Sequence, residues 1–113
     1  MAVGARCAAG RMLLLLGLVG AAEAQPAEGQ SLAFATTKGN CLACHHIEGG
    51  TQMGDLGPPL VDMRKRYPDR ADLRARIFDA RQYNPDTLMP PFGANGILNA
   101  DEIERVIDFL YTR

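Results

Sequence analysis

The sequence predicts an all-α domain of few helices joined by long loops, and three observations predict it. Apolar residues recur at helical spacing in Leu73, Ile77 and Ala80 and again in Ile103, Val106, Ile107 and Leu110. No stretch shows the two-residue alternation of a half-buried strand, and no internal repeat is visible. Between the periodic stretches lie segments crowded with breakers, from Gly49 to Pro59 and from Tyr83 to Gly96. Loops of that length are unusual in a small domain unless they wrap a rigid body.

The chain has 113 residues, enough for one domain. Its first stretch does not belong to the fold. Arg6 and Arg11 are followed by a short apolar block, Met12 to Val19, and then by the small-residue site Ala22-Glu23-Ala24. That order predicts a signal peptide over residues 1–24, cleaved after Ala24, and a domain over 25–113. The block is well short of the ~20 residues a spanning helix needs. No cysteine lies at the cleavage site to take a lipid, so no membrane attachment is expected after cleavage. Removing Arg6, Arg11 and Glu23 from 12 basic and 13 acidic side chains leaves a formal charge of −2. Such a balance gives no signature of nucleic-acid or membrane-surface binding. Four Phe, three Tyr and no Trp make a modest core, one that a large apolar cofactor would complete.

In order, Gln25 to Gly29 reads as a loose terminus, and Ser31 as the cap of a helix over Leu32 to Lys38. A short helix is expected over Leu60 to Tyr67, stopped by Pro68. Asp69 then caps a helix through Arg81, with Asp72 as capping-box partner. Asn99 caps the last helix, with Glu102 at its N3 position.

Cys7 leaves with the signal peptide, so the mature chain keeps only Cys41 and Cys44, followed directly by His45. Two thiols at this spacing sit on one turn and add across the two vinyl groups of one porphyrin. The next histidine then lies beneath the iron. Other uses of the pair fit worse. A thioredoxin-like site needs a βαβ unit, and zinc needs a second ligand pair where only His46 remains. A Cys41–Cys44 disulfide would close a strained ring and leave His45 without a purpose. The expected cofactor is one covalent haem c, with His45 as an axial iron ligand.

The ring of His45 needs its other nitrogen held. The Gly57-Pro58-Pro59-Leu60 loop is placed to lend a carbonyl, that of Pro58, though the same residues suit a plain turn. For the opposite axial position there are three methionines. Met53 has too little chain after His45 to cross the ring, and Met63 falls in a helix as core filling. Met89 lies in a stiff segment, Leu88-Met89-Pro90-Pro91, and Pro90 pushes it into extended conformation, so Met89 is the expected ligand. His46, adjacent to His45, cannot reach the far face and reads as a surface residue. With two protein ligands no position is open to substrate, which argues for electron transfer over catalysis at iron. The basic cluster Arg64, Lys65, Arg66, Arg70, Arg74, Arg76 and Arg81 reads mainly as a solvated face with i,i+4 pairs, and otherwise as a docking face or partner for haem propionates. Phe92 and Ile97 suit either an apolar rim or core.

Taken together, the helix, the Cys41–His45 pentapeptide, the Gly-Pro loop, the methionine in its proline frame and the closing helix resemble class I cytochromes c. More narrowly, Lys38 to His45, Gly57 to Leu60, Arg66 to Asp69 and Asn84 to Gly93 resemble the SoxX family. The resemblance implies the class I cytochrome c fold and His45/Met89 ligation. It implies a periplasmic heterodimer with a SoxA-like cytochrome, not catalytic alone, in a complex that oxidatively couples thiosulfate to a cysteine of a SoxYZ-like carrier. Electrons would pass on to a soluble cytochrome c acceptor. A free-standing periplasmic monohaem shuttle to an oxidase is the alternative.

Overall fold

The computed structural model describes Met1, Val3, Gly4 and residues 21–113; the rest of the predicted signal peptide lies outside the described residues. Four α-helices follow one another among the described residues: α1 (Ala21–Phe34), α2 (Met63–Arg66), α3 (Arg70–Phe78) and α4 (Ala100–Leu110). Single 3-10 turns cover Cys41–Ala43 and Ala80–Gln82. No strand occurs among the described residues. The all-α class with long loops is as the sequence predicts.

The first helix departs from the expectation. Gln25 to Gly29 is not a loose terminus but part of α1, which ends at Phe34 where a helix through Lys38 was expected. Ser31 sits inside it, its hydroxyl donating to the Ala27 carbonyl, and caps nothing. Pro26 and Gly29 lower the intrinsic propensity of this stretch, yet tertiary packing decides. Gly29 is buried against α4, and a Cβ there would fall inside the backbone carbonyl of Arg105 and 2.8 Å from Phe109 Cβ. The missing side chain is what lets the two helices touch. Around that contact Phe34 meets Phe109 edge-on at 5.5 Å, and Glu28 pairs with Arg105 at 2.7 Å.

Both ends of the pairing are fixed by sequence chemistry. The Asn99 side chain accepts from the Glu102 N–H while Glu102 accepts from the Asn99 N–H, each at 2.9 Å, closing the expected capping box. Glu102 also binds Lys38 at 2.9 Å, which with its backbone bond holds the carboxyl below its usual range. Ile103, Val106, Ile107 and Leu110 are buried as their spacing predicts, and Phe109 joins them.

Asp69 caps α3 as expected, accepting from the Ala71 N–H at 2.9 Å. Asp72 does not close a capping box; its carboxylate lies against Arg76 and the Tyr83 hydroxyl. The helix also stops at Phe78, short of Arg81. Asp79 turns extended and accepts from the N–H of Arg81 and from its guanidinium, a local alternative to another helical turn. The freed Phe78 carbonyl takes the N–H groups of Gly93 and Ala94 instead. On its other face α3 reaches α4 through charge. Arg70 binds the Glu104 carboxylate at 2.7 Å and Asp108 at 2.8 Å, and Arg74 also binds Glu104. These contacts, that of Arg74 first, hold the Glu104 carboxyl down at about 2. In the basic cluster only Arg76–Asp72 is an i,i+4 pair; Arg70 and Arg74 are interhelical ties, which spacing within one helix does not reveal.

The expected Leu60–Tyr67 helix shrinks to one turn, α2, because Asp62 adopts a left-handed conformation with φ 52°. Met63 is core, as its helical placement suggested. Leu60, Leu73, Ile77, Phe92 and Leu98 complete the same cluster, so Phe92 is core and not rim.

Gly29→Val puts a branched side chain into the α1–α4 contact. Chemical unfolding of the haem-loaded protein is expected to lose about 1–3 kcal/mol; an unchanged midpoint would contradict so close a crossing.

Candidate functional site: the Cys41–His45 turn

The pentapeptide follows α1 through a tight reversal. Gly39 N–H donates to Leu32 O at 3.0 Å, and Asn40 takes a left-handed φ of 47°, a conformation asparagine tolerates. Cys41 to Ala43 then close a 3-10 turn, and the His45 N–H returns to Cys41 O at 2.9 Å. Both cysteines are half-buried and neither is in a disulfide. Burial pushes the Cys41 thiol up to about 11, the reverse of the lowered value that marks a disulfide-exchange nucleophile.

Residues 54–60 run alongside 42–46 and are pinned to every second carbonyl. Gly54 N–H donates to Leu42 O at 2.8 Å, Gly57 N–H to Cys44 O at 2.7 Å, and Leu60 N–H to His46 O at 2.9 Å. This register brings the Pro58 carbonyl 2.7 Å from His45 Nδ1. A carbonyl only accepts, so Nδ1 carries the proton and Nε2 keeps its lone pair. Gly57 makes the approach possible, because a Cβ on it would occupy the space of the imidazole ring. Arg66 secures the far side of the loop, donating to Pro59 O at 2.8 Å and Val61 O at 3.2 Å. Sequence reasoning singled out Pro58 but not Gly57 or Arg66. The glycine ahead of the proline pair was a visible signal, whereas nothing local marked the arginine.

Met89 is half-buried against the core cluster on a separate segment. Its N–H donates to Thr87 Oγ1 at 3.1 Å. The stretch after it is anchored by Gly93 and Ala94 to Phe78 O, and by Leu98 N–H to Phe92 O at 3.0 Å. The other two methionines of residues 25–113 are occupied: Met53 sulfur accepts from the Ile47 N–H at 3.2 Å, and Met63 is in the core. His46 is exposed.

These donors suit haem. They comprise two free thiols on one turn, an imidazole with one nitrogen held and one free, and a thioether on another segment. Among the described residues no group of three or more His, Cys, Asp or Glu is placed to hold a bare metal ion. No helix of the described residues is long and apolar enough to cross a membrane.

Fold and donor set define a c-type cytochrome, a helical protein carrying covalent haem c for electron transfer. The family model described as cytochrome c oxidase, cbb3-type, subunit III matches residues 24–110, and the chain belongs to that family. It is also similar to a chain in the crystal structure of SoxXA from P. pantotrophus. Identity is 32% over 77% of this chain and 80% of that one, with a TM-score of 0.68. Within its family the chain is a SoxX-like monohaem cytochrome. No curated protein matches it.

Gly57→Ala drives a methyl group into the His45 ring. Unfolding of the haem-loaded protein is expected about 1–3 kcal/mol earlier, with shifted proton resonances of the His45 ring. Unmoved resonances would show that the glycine does not shape the ring's seat.

Proposed function

We propose that this chain is the electron-transfer subunit of a SoxAX-like complex in the periplasm, exported by residues 1–24 and released by cleavage after Ala24. One haem is bound covalently through Cys41 and Cys44, with His45 and Met89 as axial ligands and the Pro58 carbonyl fixing His45. The partner is a SoxA-like cytochrome, the substrate thiosulfate coupled oxidatively to a cysteine of a SoxYZ-like carrier, and the acceptor a soluble cytochrome c. The observation that carries the reading is the likeness to a chain of SoxXA, which spans most of both chains.

Bound haem supplies a one-electron couple. The chain's own residues tune and protect it. Proton donation from Nδ1 to Pro58 O makes Nε2 a stronger and fixed donor. The soft Met89 thioether favours the ferrous state and raises the potential. Held by both His45 and Met89, the haem would offer no open position to a substrate and would supply electron exchange alone. With Cys41 and Cys44 both consumed by haem, the mature chain retains no thiol for sulfur conjugation, and that chemistry belongs to the partner. A second reading, a free shuttle to an oxidase, draws on the oxidase subunit that names the family model.

Met89→Ala is expected to abolish the weak ferric absorbance near the red end of the visible spectrum and to open the reduced protein to carbon monoxide. The potential should fall within the roughly 0.8 V range that axial ligands set. Carbon monoxide binding by the reduced parent would refute His45/Met89 ligation. Co-expression with a SoxA-like cytochrome and size-exclusion of the periplasmic fraction tests the partner. Co-elution is expected, and elution of the chain as a lone monomer beside that cytochrome would favour the free shuttle.

A further inference from the structure

Helix α1 has two candidate beginnings. It spans Ala21–Phe34, which places Pro26 five residues inside it. There a proline has no N–H for the carbonyl four residues back, and its ring crowds that carbonyl. Gln25-Pro26-Ala27-Glu28, by contrast, has the order of a helix start, with a capping position, proline at N1 and glutamate at N3. Four residues further on, Gly29 already packs against α4, so the helix is held from its second turn whether or not residues 21–24 are present. Cleavage after Ala24 turns a disfavoured interior proline into a favoured first-turn one.

The same cleavage makes Gln25 the first residue, and Gln25 is exposed. We propose that the mature chain is modified there, its N-terminus closed as pyroglutamate. The step needs no co-reactant. The α-amino nitrogen of Gln25 attacks its own side-chain amide carbon, the bond from that carbon to Nε2 breaks, and the leaving nitrogen departs with the transferred proton as ammonia. A five-membered lactam remains.

The fold favours the product. A free α-ammonium would place positive charge at the positive end of the α1 dipole, an interaction in the wrong sense. The lactam is neutral and still offers one N–H. Glu28, at N3, is the acceptor a capping box provides for that donor, and Arg105 already holds its carboxylate at 2.7 Å. Closure also removes the free amine from the helix that carries the α1–α4 contact, which denies aminopeptidases their attachment point.

The inference rests on cleavage after Ala24, and its test reports the two separately. The haem-loaded protein is expressed with its own residues 1–24, purified from the periplasm, incubated at neutral pH and weighed intact by mass spectrometry. The expected mass is that of residues 25–113 with haem, lighter by one ammonia, with a terminus that resists Edman sequencing and an N-terminal peptide whose fragment ions place the loss on Gln25. Gln25→Ala should begin at the new alanine with an open amine and full mass. A parent that begins at Gln25 and keeps an open amine after incubation overturns the lactam and leaves the cleavage standing. A parent that begins at any other residue overturns both.

Discussion

The seat of His45 depends on residues 54–60 running in one register beside 42–46. Three backbone bonds, to the carbonyls of Leu42, Cys44 and His46, set that register. A slip of one residue would replace the Pro58 carbonyl with a neighbour's and lose the 2.7 Å contact to His45 Nδ1. The register in turn works only because Gly57 lacks a side chain where the imidazole lies. A single steric allowance fixes the tautomer, the ring plane and the direction in which Nε2 presents its lone pair.

The rest of the molecule holds this strap and the methionine segment in one frame. Pairing of α1 with α4 makes the apolar base, and the pentapeptide turn follows the end of α1 through the reversal at residues 35–40. Interhelical charge makes the second tie, with Arg70 and Arg74 gripping Glu104 and fixing α3 to α4. From the end of α3, the Phe78 carbonyl catches Gly93 and Ala94 beyond Met89. Each segment that carries a donor is thereby tied to a helix within a few residues.

What the sequence disclosed follows the range of the interaction responsible. The α4 capping box and the buried stripe of Ile103, Val106, Ile107 and Leu110 are set within a turn or two, and both were legible. So were the Asp69 cap and the core position of Met63. The start of α1 was hidden, because Gly29 looks like a breaker until α4 lies against it. The early end of α3 was hidden by a competition, since Asp79 can bond to Arg81 or be passed over by the helix, and only the claim of Gly93 and Ala94 on Phe78 O decides. Arg66 and Arg70 read as solvated charges because their partners, the Pro59 and Val61 carbonyls and Glu104, are placed by the fold. Chemistry carried by identity and spacing shows in the string; chemistry carried by who lies opposite does not.

The two segments in the proposed ligand role are stiffened by different means, and the difference suits electron transfer. The His45 side is a dense set of backbone bonds closed by a carbonyl, rigid because each donor has one partner at short range. The Met89 side is held by short local turns: Thr87 N–H donates to Asn84 O, Met89 N–H to Thr87 Oγ1, and Phe92 N–H to Pro90 O. There Pro90 and Pro91 add to those turns by removing backbone conformations. A soft thioether tolerates small changes in bond length, whereas the imidazole must keep its plane and proton. Placing hydrogen bonds under the histidine and prolines beside the methionine puts each kind of stiffness where the ligand can use it. In the proposed ligand role both side chains would then stay in place in either oxidation state, and little would need to rearrange when one electron came or went.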